Sequence, residues 1–121
     1  MRLNRSFSMK QHSEFSRARL DGEAKGGKYL VVSTLADSEA TGSSKKAGII
    51  VTKKVGNAVT RNRLRRRVHA ILAKYIDQID DQGGTRYIVT IIRWRAPDAT
   101  FSQLEKDWLK QVNRLGILTA S

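Results

Sequence analysis

Residues 53–75 read KKVGNAVTRNRLRRRVHAILAKY, and the rest of the chain is arranged around them. From Lys53 to Arg67 there are seven Lys or Arg side chains and no carboxylate. The acid-free window runs from Ala40 to Ile76 and contains ten cations, whereas the other 84 residues carry 13 basic and 11 acidic groups. Ten of the twelve net positive charges therefore lie in under a third of the chain. A surplus gathered in this way marks a site for a polyanion, not a general taste for basic residues.

The stretch divides by geometry. Val55-Gly56-Asn57 breaks an incoming strand, and Asn57 is a good N-cap. A helix follows from Ala58 to about Ile76. At 100° per residue, Leu64, Val68, Ile71, Leu72 and Tyr75 fall within an arc of about 100° and form a core face. Arg61, Arg65, His69, Asn62 and Arg66 make a polar strip beside it. Arg63 and Arg67 lie on the far side, where they give a second contact or a long-range field. The pairs Arg61/Arg65 and Arg63/Arg67 repel at i,i+4, each at a cost of roughly a few tenths of a kcal/mol. An anionic partner accounts for that cost better than stability does. Arginine suits the task because its planar fork binds phosphate bidentately and stacks on bases. The helix N-terminus adds unpaired amides and a positive dipole end, flanked by Lys53 and Lys54, and Gly56 allows close approach of a backbone.

Upstream, Ser8 and Gln11 form a capping box before a short helix from about Met9 to Arg19, which Gly22 stops. Residues 21–27, DGEAKGG, read as a turn. Strands are expected at Tyr29–Leu35 and Ala47–Thr52, separated by a polar loop over Ala36–Ser44. Downstream, residues 77–85 are a turn-rich loop. A third strand at Tyr87–Ile92 is closed by Arg93-Trp94-Arg95. Thr100 and Gln103 repeat the capping box. The helix from Phe101 to Leu115 carries Phe101, Leu104, Trp108, Leu109, Val112 and Leu115 at 3-4 spacing and ends at Gly116. The order αββ(β)αβα, with room for one extra short strand, predicts an α+β two-layer sandwich with helices on one small sheet. At 121 residues this is a single domain spanning 1–121.

Absence of cysteine excludes disulfides, thiolate zinc sites and cysteine nucleophiles. No run approaches the roughly 18 apolar residues of a membrane span, and the N-terminus has no apolar signal region. A cytoplasmic protein with no membrane partner is expected. His12 and His69 lie in unrelated segments. Asp77, Asp80 and Asp81 read as solvated loop acids, and there is no Ser-His-Asp arrangement or phosphate-cradling loop. No catalytic residue and no protein metal ligand is assigned. Trp108 belongs to the core. Trp94 is expected to cap the core at the strand end in preference to stacking a base. Phe15 stays open between a packing role and a stacking platform.

The run Val51-Thr52-Lys53-Lys54-Val55-Gly56-Asn57-Ala58-Val59-Thr60-Arg61-Asn62-Arg63-Leu64-Arg65-Arg66 resembles the protein subunits of bacterial ribonuclease P. Phe15, Gly22, Gly48 and Arg93 add to the likeness, and the order of elements extends it over nearly the whole chain. Thr52 stands where that family has Ser, His69 where a basic residue is usual, and Arg19 where a second aromatic often follows Phe15. The resemblance implies a small mixed sheet of ribosomal-protein type, with a left-handed βαβ crossover through the basic helix, against the usual right-handed rule. It implies a catalytic RNA partner, which with this protein removes the 5′ leader of precursor tRNA. Cleavage leaves a 5′-phosphate on the tRNA, and Mg²⁺ is bound mainly by the RNA. No obligate protein partner is evident. RNA contacts are expected at Lys53, Lys54, Asn57, Arg61, Asn62, Arg63, Arg65 and Arg66. Phe15, Tyr29, Lys28 and Lys46 are expected around the leader cleft. Two rival classes are a non-catalytic ribosomal or RNA-chaperone-type protein and a stand-alone nuclease.

Overall fold

The structure is a computed structural model describing residues 7–9, 15–16, 22–37, 44–80 and 84–118. Its strands are β1 (Glu23–Gly26), β2 (Leu30–Asp37), β3 (Ser44–Ile50) and β4 (Thr85–Ile92), and its long helices are α1 (Ala58–Tyr75) and α2 (Phe101–Leu115). The four strands form one mixed sheet in the order β1-β2-β4-β3. β2 runs antiparallel to β1 and β4, with Leu30 opposite Ile92 and Thr34 opposite Ile88. β3 lies parallel to β4, with Ala47 opposite Ile88, so α1 is the crossover between two neighbouring parallel strands.

Strand alternation sorts the apolar residues onto two faces. On one face Leu30, Val32, Ala47, Ile88 and Ile92 meet Leu64, Val68, Ile71 and Leu72 of α1 and Leu104, Trp108 and Val112 of α2. The core arc expected on α1 is therefore the buried one. Trp108 is fully buried, donates from Nε1 to Thr90 Oγ1 at 3.2 Å, and stacks on Tyr75 with ring centres 5.8 Å apart. On the opposite face a smaller cluster joins Met9 and Val89 to Phe15, Leu35, Ile50, Tyr87 and Ile91. Gly48 makes room there, because a Cβ at that position would run into the Phe15 ring.

Three expectations change. Residues 23–26, read as part of a turn, are the edge strand β1. β3 begins at Ser44 and stops at Ile50, and Lys53–Val55 form a single 3₁₀ turn in place of the strand end. Most of the helix expected from Met9 to Arg19 lies outside the described residues; Phe15 and Ser16 are helical, but Ser8 bridges to Ala47 and Met9 N donates to Ala47 O at 2.9 Å. The chain at 8–9 thus lies along the outer edge of β3.

Both long helices are capped as their sequences require. Asn57 Oδ1 accepts from Thr60 N at 2.9 Å. Thr100 and Gln103 form the reciprocal capping box, and Gly116 closes α2 at φ 70°, a left-handed position suited to glycine. Asp107 supplies a link that the periodicity did not reveal: its Oδ2 accepts from Tyr29 N at 2.9 Å and Leu30 N at 3.0 Å. That carboxylate fixes the start of β2 to α2.

Candidate nucleic-acid interface

The first half of α1 gathers the expected anion-binding groups. Lys53, Lys54, Asn57, Asn62, Arg63 and Arg66 are exposed, and Arg61 and Arg65 are half-buried against the helix. No acid occupies the first turn of α1, so nothing within the helix neutralises its amide end. Arg65 Nη1 donates to Asn62 Oδ1 at 3.0 Å, which holds the guanidinium on the strip before any ligand arrives. Among the described residues no carboxylate pairs with Arg61, Arg65 or Arg66. Asn62, Arg65, Arg66 and His69 line an open groove of ≈ 880 Å³ together with Phe101 at the start of α2. Its scale suits a nucleic-acid backbone running along the helix.

The far flank is used differently. Arg67 Nη1 donates to Ala99 O at 3.1 Å, and Arg63 Nη2 reaches Pro97 O at 3.5 Å, the outer limit for such a bond. These two arginines tie α1 to the loop before α2, so Arg67 is as much a brace as a source of field.

The residues expected around a second cleft separate. Phe15 lies on the sheet face away from the helices, beside Tyr87, and Lys46 is the register partner of Tyr87. Tyr29 instead packs against the helix-side core, and together with Lys28 it borders Trp94 and Arg95. The structure brings Phe15 and Lys46 to one face and sends Lys28 and Tyr29 to another place. Tyr87, Leu35 and Ile91 share that face with Phe15 instead; strand alternation from Val89 would have found Tyr87 and Ile91, while Leu35 follows only from the β2–β4 register. Trp94 is 62% exposed and does not cap the core, which corrects the expectation for it. Ala96, two residues on, is the buried residue of that turn.

Among the described residues no three His, Cys, Asp or Glu side chains come together. Asp81 and His12 lie outside the described residues. Elsewhere Glu105 joins the two helices, accepting from Lys74 Nζ at 2.9 Å and from Tyr75 OH at 3.2 Å. The hydrogen bond to Glu105 raises the Lys74 ammonium above its ordinary value, and the same bond lowers the Glu105 carboxyl. Among the described residues no helix is long and apolar enough to cross a membrane.

The family model for ribonuclease P matches residues 3–116. The chain belongs to the ribonuclease P protein family. It is 35% identical over 117 residues to the ribonuclease P protein component of Clostridioides difficile (strain 630), covering 97% of this chain and 98% of that one. A ribonuclease P protein component from Desulforamulus reducens is 31% identical over 104 residues, 86% of this chain and 87% of its own. Among solved structures, the Staphylococcus aureus RNase P protein superposes with a TM-score of 0.81 at 24% identity, covering 94% of this chain and 99% of that one. The Thermotoga maritima RNase P protein gives 0.71 at 23% identity, over 85% and 92%. These two likenesses are of fold, and they carry the same mixed sheet with two helices. As a family member the chain is a protein component of ribonuclease P, a tRNA-processing ribonuclease, and the ribonuclease P RNA is its partner. The ribosomal or RNA-chaperone reading is set aside.

Proposed function

We propose that within ribonuclease P this chain acts as one RNA-binding domain with two surfaces. Lys53, Lys54, Asn57, Arg61, Asn62, Arg63, Arg65 and Arg66 engage phosphates of the catalytic RNA. The sheet face around Phe15, with Tyr87 and Lys46, receives unpaired nucleotides of the precursor-tRNA leader. The observation that carries the first surface is the acid-free opening of α1, whose arginines have no carboxylate partner among the described residues. Support for the second is Gly48, which clears the sheet for the Phe15 ring.

The protein's work is electrostatic and steric. Each phosphate neutralised releases counterions, so assembly weakens steeply with salt. Contact with the leader favours precursor over product, which has no leader. Mg²⁺, bound mainly by the RNA, supplies the activated water and the charge neutralisation of the cut. No step is assigned to a protein-held ion, and the protein contributes no catalytic residue. The complex works in the cytoplasm.

Adding the purified protein to its organism's ribonuclease P RNA at low Mg²⁺ tests this reading. Restored cleavage of precursor tRNA is expected, with tighter binding of precursor than of mature tRNA. Failure to restore cleavage, or cleavage by the protein without RNA, would overturn it.

A further inference from the structure

The turn after β4 carries the most exposed aromatic side chain among the described residues. Trp94 is 62% exposed, and the guanidinium of Arg95 stands 4.8 Å from its ring centre. Tyr29 lies beside it, with the Lys28 ammonium 5.4 Å from its own ring. Lys28, Tyr29, Trp94, Arg95 and Asp98 line one shallow recess of ≈ 300 Å³. Asp98 is the single acid of that lining, against two cations.

The mount is firm. Arg93 N donates to Tyr29 O at 2.9 Å, and Arg93 Nη1 donates to Gly27 O at 2.7 Å, which ties the two sides of the recess together. The turn is closed by Ala96 N to Arg93 O at 3.0 Å and Asp98 N to Arg95 O at 3.2 Å. Packing gives no reason for an indole here, because Ile92 and Ala96 already fill the core on either side. With Arg95 over the ring and most of the residue still exposed, much of the indole is accessible to a partner. A fixed aromatic face beside cations suits an unpaired base, whose π-system stacks while its phosphates meet the charges.

We propose that the Trp94–Tyr29 recess stacks one unpaired RNA base, as a contact separate from the phosphate strip of α1. It rests on the reading of RNA as partner, and adds a place and a chemistry that the strip does not have. Arg63 of α1 reaches Pro97 O, next to Asp98 of the recess lining, at 3.5 Å, so the basic helix and the recess are neighbours that one RNA can reach. Because Trp94 gives stacking and no charge, its removal should weaken binding without changing salt dependence.

The test is binding of a labelled single-stranded oligoadenylate to the full chain, followed by anisotropy across salt. Trp94→Leu keeps an apolar side chain but no π-face, and should weaken binding by about tenfold with an unchanged salt slope. Trp94→Phe should retain most of the affinity. Buried Trp108 reports folding by its own fluorescence in every variant. The same variants in the holoenzyme locate the base: weaker assembly assigns it to the catalytic RNA, weaker precursor binding to the substrate. Equal affinity of wild type, Trp94→Leu and Trp94→Phe for all three RNAs overturns the proposal. That result leaves the α1 strip standing, which is tested separately by Arg61→Ala and Arg65→Ala and fails if both change neither affinity nor slope.

Discussion

α1 and α2 pack on the same face of the same sheet, yet they use their polar side chains in opposite ways. On α2 three polar side chains are spent on the protein itself: Asp107 holds the start of β2, Glu105 joins Lys74 and Tyr75, and Trp108 Nε1 meets Thr90. On the first half of α1, Arg61, Arg65 and Arg66 have no carboxylate to answer them among the described residues. A helix needs only its apolar stripe and its caps to hold its place. The rest of its surface is free to serve a partner, and the two helices show both outcomes side by side. The arrangement predicts that damage to α2 is felt in stability and damage to the α1 strip in RNA binding.

The largest effect should come from Trp108→Ala, which empties a fully buried site and severs the bond to Thr90. Such truncations cost about 3–5 kcal/mol, a large share of the 5–15 kcal/mol typical of a domain. Denaturant unfolding should show a large fall in midpoint, and the folded fraction should bind RNA with an unaltered salt slope. Next comes Asp107→Ala, which strands the part-buried N–H groups of Tyr29 and Leu30. A loss of about 1–3 kcal/mol is expected for such donors, again read by denaturant midpoint. A similar fall in Arg65→Ala would break the contrast between the helices.

How much of this was legible in the sequence depended on where burial imposes a period. α1 and α2 each bury one stripe, and their caps and bounds could be read to within a residue. β1 has no such period: three of its four residues are exposed, and pairing with β2 holds it by backbone bonds that any sequence can make. Trp94 was misjudged for a related reason. A tryptophan at a strand end has no period to follow, and whether it turns inward depends on the turn closed by Ala96. Tyr29 belongs with Trp94 because its backbone is pinned by Asp107, a contact between residues 78 positions apart. The charge strip was visible because acids are missing from it. Which arginines face outward was only partly visible, since Arg67 is engaged by a carbonyl of a distant loop.

The smallest effect is in pH. Glu105 is lowered in the folded state by its bond to Lys74, so its contribution is present above the ordinary value of 4.5 and lost as pH falls below it. Lys74 is raised, so its side of the bond is present below 10.5 and lost as pH rises beyond that value. Glu105→Gln should flatten both limbs of the stability profile measured by unfolding, and unchanged limbs would remove this bond from the account.

Most direct of all is the salt dependence of binding to the catalytic RNA in Arg61→Ala and Arg65→Ala, set beside Arg67→Ala. The account predicts weaker binding and a salt slope reduced by about one for each strip arginine, with unfolding midpoints unmoved. Arg67→Ala should instead lose about 0.5–1.5 kcal/mol of stability and change the slope less. Unchanged RNA affinity and slope in both strip variants would contradict it.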